Sequence, residues 1–466
     1  MTLKDSRGLP VSTQSAVALA HYELALEQTH GYFGNPLATV DAALAEDPDF
    51  GMAHALKADL AVMSSEKGAL ELIRQGAAAL ERIGGRALPR ERAHVAAARA
   101  WMEGDFDRSV NLYGAIAIEH PRDLLAIQAA HVMDFNLGDS LMLRDRIAQA
   151  LPHWNDTVPG YGYLLGMYSF GLEETANYTR AEDVGRRALD LNRRDPWAVH
   201  AVEHVFEMNG RVHDGIEWLR ATAPDWQDSA LSFHNWWHLA LHYLDLGEAQ
   251  AALDLYDRVI HPKPTAVALE LVDASQLLWR MSLRGLDVAN RWAGLADCWA
   301  GLAESGFYVF NDVHALIAYA SAGRRDDVAR MLAVLGARAG EPDANGRHTR
   351  DIGLPLAQAI VAMAEQRAAR AAALLLPIRS RASVIGGSHA QRDLIQLTCI
   401  EAALRAGQGR LARALAAERT EAKPASPFNW QLAARALEIA GDAQAAAAAR
   451  EHAELRRRAQ QRRTAA

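Results

Sequence analysis

Cysteine is all but absent. Cys298 and Cys399 are the two in 466 residues, about a hundred positions apart and each in an apolar stretch. Two thiols so placed give no disulfide framework. They read as buried free cysteines of a reducing compartment, with a disulfide or a catalytic thiol as the alternative. Aromatic residues make up only 7% of the chain and β-branched runs are scarce, which leaves little material for a sheet. Basic charge is not in excess either: 49 Lys and Arg stand against 57 Asp and Glu, for a net charge of −8. A nucleic-acid-binding surface is therefore not expected. No window approaches 18 uncharged apolar residues, so no membrane span is expected. The N-terminal MTLKDSRGLPVSTQSAVALAHYELA has no apolar core followed by a cleavage site, and the expected location is cytoplasmic. Neither a P-loop nor a G-x-G-x-x-G fingerprint occurs, so no nucleotide cofactor is expected.

What is present is apolar and helical. Half the residues are hydrophobic, with Ala very abundant, enough for a continuous core built from good helix formers. The length suggests about three domains, unless the chain is a repeat array that grows in one dimension.

A repeat is visible. An apolar helix, a Gly, about four polar residues and an Ala/Leu-rich helix recur around Gly104, Gly138, Gly210, Gly247, Gly285, Gly323, Gly407 and Gly441. The spacings are 34, 72, 37, 38, 38, 84 and 34. The two wide ones are about two units each, so the period is 34 to 42 residues, room for two helices and two turns. The segments after the glycines agree: GDFDRSVNLY, GRVHDGIEWL, GEAQAALDLY and GDAQAAAAAR. Second helices run into Pro48, Pro121 and Pro196, a residue unwelcome inside a helix but suited to the first turn of the next. The expected fold is an all-α, tetratricopeptide-type solenoid of helical hairpins coiled as a superhelix. It is expected to hold N-terminal repeats in 1–100, central repeats in 101–330 and C-terminal repeats with a cap in 331–466. The stretch from Gly340 to Asp351 (GEPDANGRHTRD) is the expected loop. The basic tail from Glu454 is expected to extend the last helix or fray as a solvated end.

First helices of such hairpins line the concave side, and four of them carry polar residues in register. Counted back from the turn glycine, His200 is at 10 and His238 and His314 at 9. His204 is at 6, with His242 and Arg280 at 5; His234 is at 13, with Asp273 and Asn311 at 12. Equal offsets on successive helices stack these side chains into one wall. Asp312 lies beside Asn311, His242 is the weakest member, and His54, His131 and Asp134 are lesser candidates on earlier helices. Against this stands the reading of each His as a hydrogen-bonded core residue. As a set they mark a ligand or reaction site, because ionisable groups are seldom buried without a partner or a purpose. The aromatics Trp236, Trp237, Trp279 and Phe310 flank these positions and are expected mostly in the core.

HAVEH, from His200 to His204, matches the H-x-x-E-H order of inverted zinc peptidases, but five residues in a His-rich chain are a weak signal, and that motif needs a third ligand at the right place and normally lives on a different fold. No cofactor is therefore expected. Were a metal bound, His200, His204, His234 and His238 would be the ligands and zinc the ion. In SVIGGSHAQRDLIQ, Ser388 and Gln391 have the spacing of a capping box. A capped helix start with Arg392 in its first turn could also hold a carboxylate or phosphate, with Asp393 orienting Arg392 or His389. Ser388 as a nucleophile is disfavoured, because no strand precedes it and no G-x-S-x-G elbow surrounds it.

The stretches WAVHAVEHVFEM, HNWWHLALHYLDLG, LDLYDRVI, VDASQLLWR, FNDVHA, RDIGLPL and IGGSHAQRD together resemble the tetratricopeptide repeat protein 38 family, in order and along nearly the whole chain. The resemblance implies an α-solenoid and carries no established reaction. It points to His200, His204, His234, His238, Asp273, Arg280, Asn311, Asp312, His314, Gln391, Arg392 and Asp393, and adds Arg350 and Asp351, whose bland role is to pair near a helix start. It does not require Glu203 or His389.

Two functions are expected to compete. One is a concave pocket for a small anionic molecule or peptide. In it His200, His204, His234, Arg280, Asn311, Ser388, Gln391, Arg392 and Asp393 bind, and a His–Asp contact among His238, His314, Asp312 and Asp273 supplies hydrolase-type acid/base chemistry. The other is a non-catalytic scaffold whose groove takes a segment of a partner protein.

Overall fold

The computed structural model describes residues 3–302 and 306–464, with side chains through Gln460. Among these residues every regular element is helical, apart from a single isolated bridge between Lys4 and Pro10. Consecutive helices pair as antiparallel hairpins, and the chain is an all-α repeat protein of tetratricopeptide type.

All eight turn glycines sit between the two helices of a hairpin with φ between +64° and +83°. This is the left-handed conformation that ends a helix at least cost when no Cβ is present. The two wide spacings each conceal one more hairpin. The turn between Tyr161–Glu174 and Tyr178–Leu191 is closed by Ala176, and the turn between Leu354–Ala364 and Ala368–Leu375 by Gln366, both at φ +60°. With these counted, the turns from Gly104 onward recur every 34 to 43 residues. Two earlier hairpins, Ala16–Gly31 with Pro36–Glu46 and Gly51–Ser64 with Leu70–Ile83, also turn through non-glycine residues, Tyr32 and Ser65.

Helix starts follow capping chemistry. Asp105, Asp123, Asp139, Ser388 and Ser426 each accept from the backbone N–H three residues on. Pro196 opens its helix, Pro196–Met208, as a first-turn proline should. The expected loop at Gly340–Asp351 is a correction. Asp343 accepts from the Gly346 N–H at 2.8 Å, and the chain is helical from Ala344 to His348 before passing through a wider turn into the next helix. Arg350 and Asp351 pair with each other at 3.2 Å on that turn. The basic tail continues the last helix, Ala443–Thr464; its final two residues lie outside the described ones. Both cysteines are free thiols, Cys399 buried and Cys298 half-buried.

The chain divides into two compact units. The first comprises Met1–Val202, Pro224–Ser232 and Glu341–Arg347; the second comprises Glu203–Ala223, Phe233–Gly340 and His348–Ala466.

The first unit holds a buried ionic knot. His94 Nδ1 lies 2.6 Å from Asp59 Oδ2 and its Nε2 lies 3.0 Å from Asp123 Oδ2, while Arg90 meets Asp123 at 2.6 Å and Tyr113 donates to Asp59 at 2.6 Å. Both ring nitrogens face carboxylates, so the imidazole is doubly protonated. Burial works against that charge, and the two carboxylates overcome it, raising the His94 pKa to about 10. The lesser sequence candidates have ordinary packing roles in this unit. His54 bonds the Pro48 carbonyl oxygen, Asp134 takes Arg146 in a two-point contact, and buried His131 lies edge-on to Phe170 and Trp197.

Candidate functional site

The second unit carries the wall that the register implies, built from the first helices Ser232–Leu246, Ala268–Leu283, Val309–Ser321 and His389–Arg405 and from the C-terminal half of Pro196–Met208. His234 and Asp273, at matching offsets on neighbouring repeats, meet at 2.6 Å between Nδ1 and Oδ2. Gln391 Nε2 reaches the other oxygen of Asp273 at 3.4 Å. His238 Nδ1 lies 3.0 Å from Glu207, whose second oxygen accepts from Lys423 at 3.1 Å. His242 Nε2 lies 2.5 Å from Glu203. The helices thus engage along diagonals as well as along equal offsets, and each imidazole of the 234–238–242 stripe has a carboxylate.

The charge states follow. His238 is fully buried, and burial beside His204 and His234 drives its pKa well below the usual value, so the ring is neutral. Burial also disfavours charge on His242, but the Glu203 carboxylate outweighs it and raises that pKa. Gly215 makes this pair fit: a Cβ there would overlap the His242 ring and lie 3.0 Å from Glu203 Oε2.

Several sequence expectations are corrected. Asp273 takes His234 rather than His238 or His314. His314 donates from Nδ1 to the Phe310 carbonyl oxygen at 2.7 Å, an in-helix bond, and burial lowers its pKa to about 4. Asp393 pairs with Arg419 at 2.6 Å instead of orienting Arg392 or His389, and Arg392 donates to the Gly387 carbonyl oxygen. Ser388 and Gln391 do form the capping box, at 3.2 and 3.1 Å. Asn311 and Asp312 begin the Val309–Ser321 helix, with Asp312 buried. His200 lies in the first unit, stacked on Phe170 and against Trp197. Trp237, Trp279 and Phe310 are buried, and Trp279 Nε1 donates to Thr398.

Beside the wall is a small cleft of about 60 Å³, partly open to solvent. Arg280 and Asp393 line it, as does His242, the least favoured member of the sequence set. The remaining polar lining was not singled out from the sequence: Glu207, Asp245, Arg284, Arg419, Lys423, Ser426 and Asn429. Two of the cations are matched by carboxylates, Arg419 by Asp393 and Lys423 by Glu207, and Asp245 accepts from the Ser426 hydroxyl at 2.5 Å. Arg280 and Arg284 differ. Arg280 is 3% exposed and donates to Gln276 Oε1 at 2.7 Å and to the Ala390 carbonyl oxygen at 2.6 Å, with its guanidinium 5.3 Å over the Trp237 ring. Arg284, one turn on, donates to the Leu244 carbonyl oxygen and packs 3.7 Å over Phe428. Among the described residues neither guanidinium is within ion-pairing distance of a carboxylate. Burial lowers both pKa values, that of Arg284 to about 10, and both stay cationic at neutral pH.

No family model matches the chain. Among solved structures it is similar to the human IFIT1 dimer with m7Gppp-AAAA, at 11% identity over 95% of this chain and 90% of that one, with a TM-score of 0.38. The human IFIT1 dimer with PPP-AAAA gives the same identity and TM-score over 94% and 90%. Naa15/Naa10 bound to HypK-THB follows at 12% over 79% and 64%, with a TM-score of 0.24. At these values the fold rests on the hairpins themselves.

Proposed function

We propose that the protein binds a small anionic molecule, or the acidic end of a peptide, in the cleft of the second unit, with the anion held between Arg280 and Arg284. One observation carries this reading: two guanidiniums one turn apart line the cleft with only neutral acceptors, while the other cations there have carboxylates. A desolvated cation whose carboxylates lie beyond hydrogen-bonding distance is costly, and a directly bound carboxylate or phosphate relieves that cost. His242 also lines the cleft, and its Nε2 is already matched by the Glu203 carboxylate at 2.5 Å. Acid/base chemistry of hydrolase type would fall to His242, which lines the cleft with the buried Glu203 behind it. Membership of the tetratricopeptide repeat protein 38 family and a cytoplasmic location belong to the same proposal.

The test is calorimetric titration of the full chain with inorganic phosphate and with a short peptide bearing a free C-terminal carboxylate. Native mass spectrometry of the purified protein would reveal a retained anion. Replacing Arg280→Gln is expected to weaken anion binding roughly 10- to 100-fold, the worth of a charge-assisted hydrogen bond in a dry site. Equal binding by the wild type and an Arg280→Gln/Arg284→Gln variant would sink the reading. Binding of an extended protein segment that is indifferent to both arginines would favour the scaffold instead.

A further inference from the structure

We propose that His204, His234 and His238 form a site for a divalent transition-metal ion, with Asp273 and Glu207 as its outer carboxylates. This inference is independent of the anion cleft.

Each of the three histidines offers one ring nitrogen, and these atoms lie within 4.8 Å of one another. The ring centroids of His204 and His238 are 4.7 Å apart, and those of His234 and His238 are 4.9 Å apart. Nitrogens around a tetrahedral ion at about 2.0–2.1 Å stand about 3.4 Å from each other, so closure needs shifts of an ångström or so. All three side chains are at most 5% exposed.

Proximity alone would describe any cluster of core imidazoles; the second layer sets this one apart. His234 presents Nδ1 to Asp273 at 2.6 Å, and His238 presents Nδ1 to Glu207 at 3.0 Å. A neutral ring that donates Nδ1–H to a carboxylate carries its lone pair on Nε2, the form and orientation that a metal ligand requires. The carboxylates are themselves fixed, Asp273 by Gln391 and Glu207 by Lys423. Three neutral ligands leave the ion's double charge unmatched in the inner layer, and two carboxylates directly behind supply the compensation. An all-nitrogen set selects zinc, cobalt, nickel or copper over magnesium or calcium. A second grouping, Glu203 and Glu207 with His238, would instead offer hard oxygen ligands. Its carboxylates already serve His242, His238 and Lys423.

The experiment uses the full chain stripped with chelator and then titrated with Zn(II), and separately with Co(II) read by visible absorption. About one ion per chain is expected, with the intense d–d bands of four-coordinate Co(II). His204→Ala, His234→Ala and His238→Gln should each abolish those bands, with folding checked by circular dichroism and thermal melting. Asp273→Asn and Glu207→Gln should keep the fold and weaken metal binding about 10- to 100-fold. Failure of the folded wild type to take up Zn(II) or Co(II) at micromolar concentration overturns the proposal. So does retention of the Co(II) bands in any folded histidine variant, or a weak six-coordinate spectrum.

Discussion

At the scale of single residues, the buried histidines divide by what faces their two nitrogens. His94 has a carboxylate on each side and is held charged, whereas His238 has one carboxylate but also the His204 and His234 rings beside it, and stays neutral. The His94 pKa is raised to about 10 from 6.5, so the stability it contributes is complete below pH 6.5 and lost as pH rises toward 10. Urea-denaturation midpoints are expected to fall across that window and to fall less in His94→Gln; parallel profiles would contradict the assignment. Gly215 is the complementary case. Alanine there gains about 1 kcal/mol of helix propensity, but its methyl pushes into the buried His242–Glu203 pair, and overpacking costs about 1–3 kcal/mol besides any weakening of the pair. Gly215→Ala is therefore expected to destabilise in the same urea assay, and a stabilised variant would refute that packing argument. The sequence exposes His234 and Asp273 through their matching offsets. It hides Arg419 and Lys423, because GRLARALAAERTEAK reads as an ordinary solvated helix face until the fold buries Arg419.

At the scale of the element, the repeat is legible wherever its turn is glycine and illegible where it is not. Ala176 and Gln366 adopt the same left-handed conformation as the eight glycines, at a cost of about 1–2 kcal/mol for a side chain. A reading keyed to glycine therefore merges each of these hairpins with its neighbour. Glycine loses more backbone entropy on folding, which offsets part of the relief. Ala176→Gly and Gln366→Gly are each expected to stabilise by about 0.5–1 kcal/mol, measured as a rise in the urea midpoint. A drop in both would mean that their side-chain contacts outweigh the strain. The helix near residue 345 was hidden differently: Pro342 and Gly346 suggest a break, yet Asp343 caps a new helix, Ala344–His348, that runs through Gly346.

At the scale of the molecule, both the Arg280–Arg284 cleft and the cluster of His204, His234 and His238 belong to the second unit, while the His94 knot belongs to the first. A ligand that binds only the folded cleft stabilises by RT ln(1 + [L]/Kd), about 2.7 kcal/mol at a hundredfold excess over Kd. Amide exchange with saturating phosphate is expected to slow most in Ala268–Leu283 and His389–Ala422, with little change in the hairpins between Ala16 and Glu119. Uniform slowing along the chain would place the anion elsewhere.

The cleft draws its walls from Glu207 at one end of the sequence range and Asn429 at the other. The lining is therefore incomplete until the segment carrying Arg419, Lys423, Ser426, Phe428 and Asn429 has joined it. A chain lacking Pro427–Ile439 would carry both arginines and still lack Phe428, over which Arg284 packs, and Asn429. Under the proposed function, anion retention would thus depend on residues far apart in the sequence, from Glu207 to Asn429, and a break in the chain between them would remove it even if each part kept its helices.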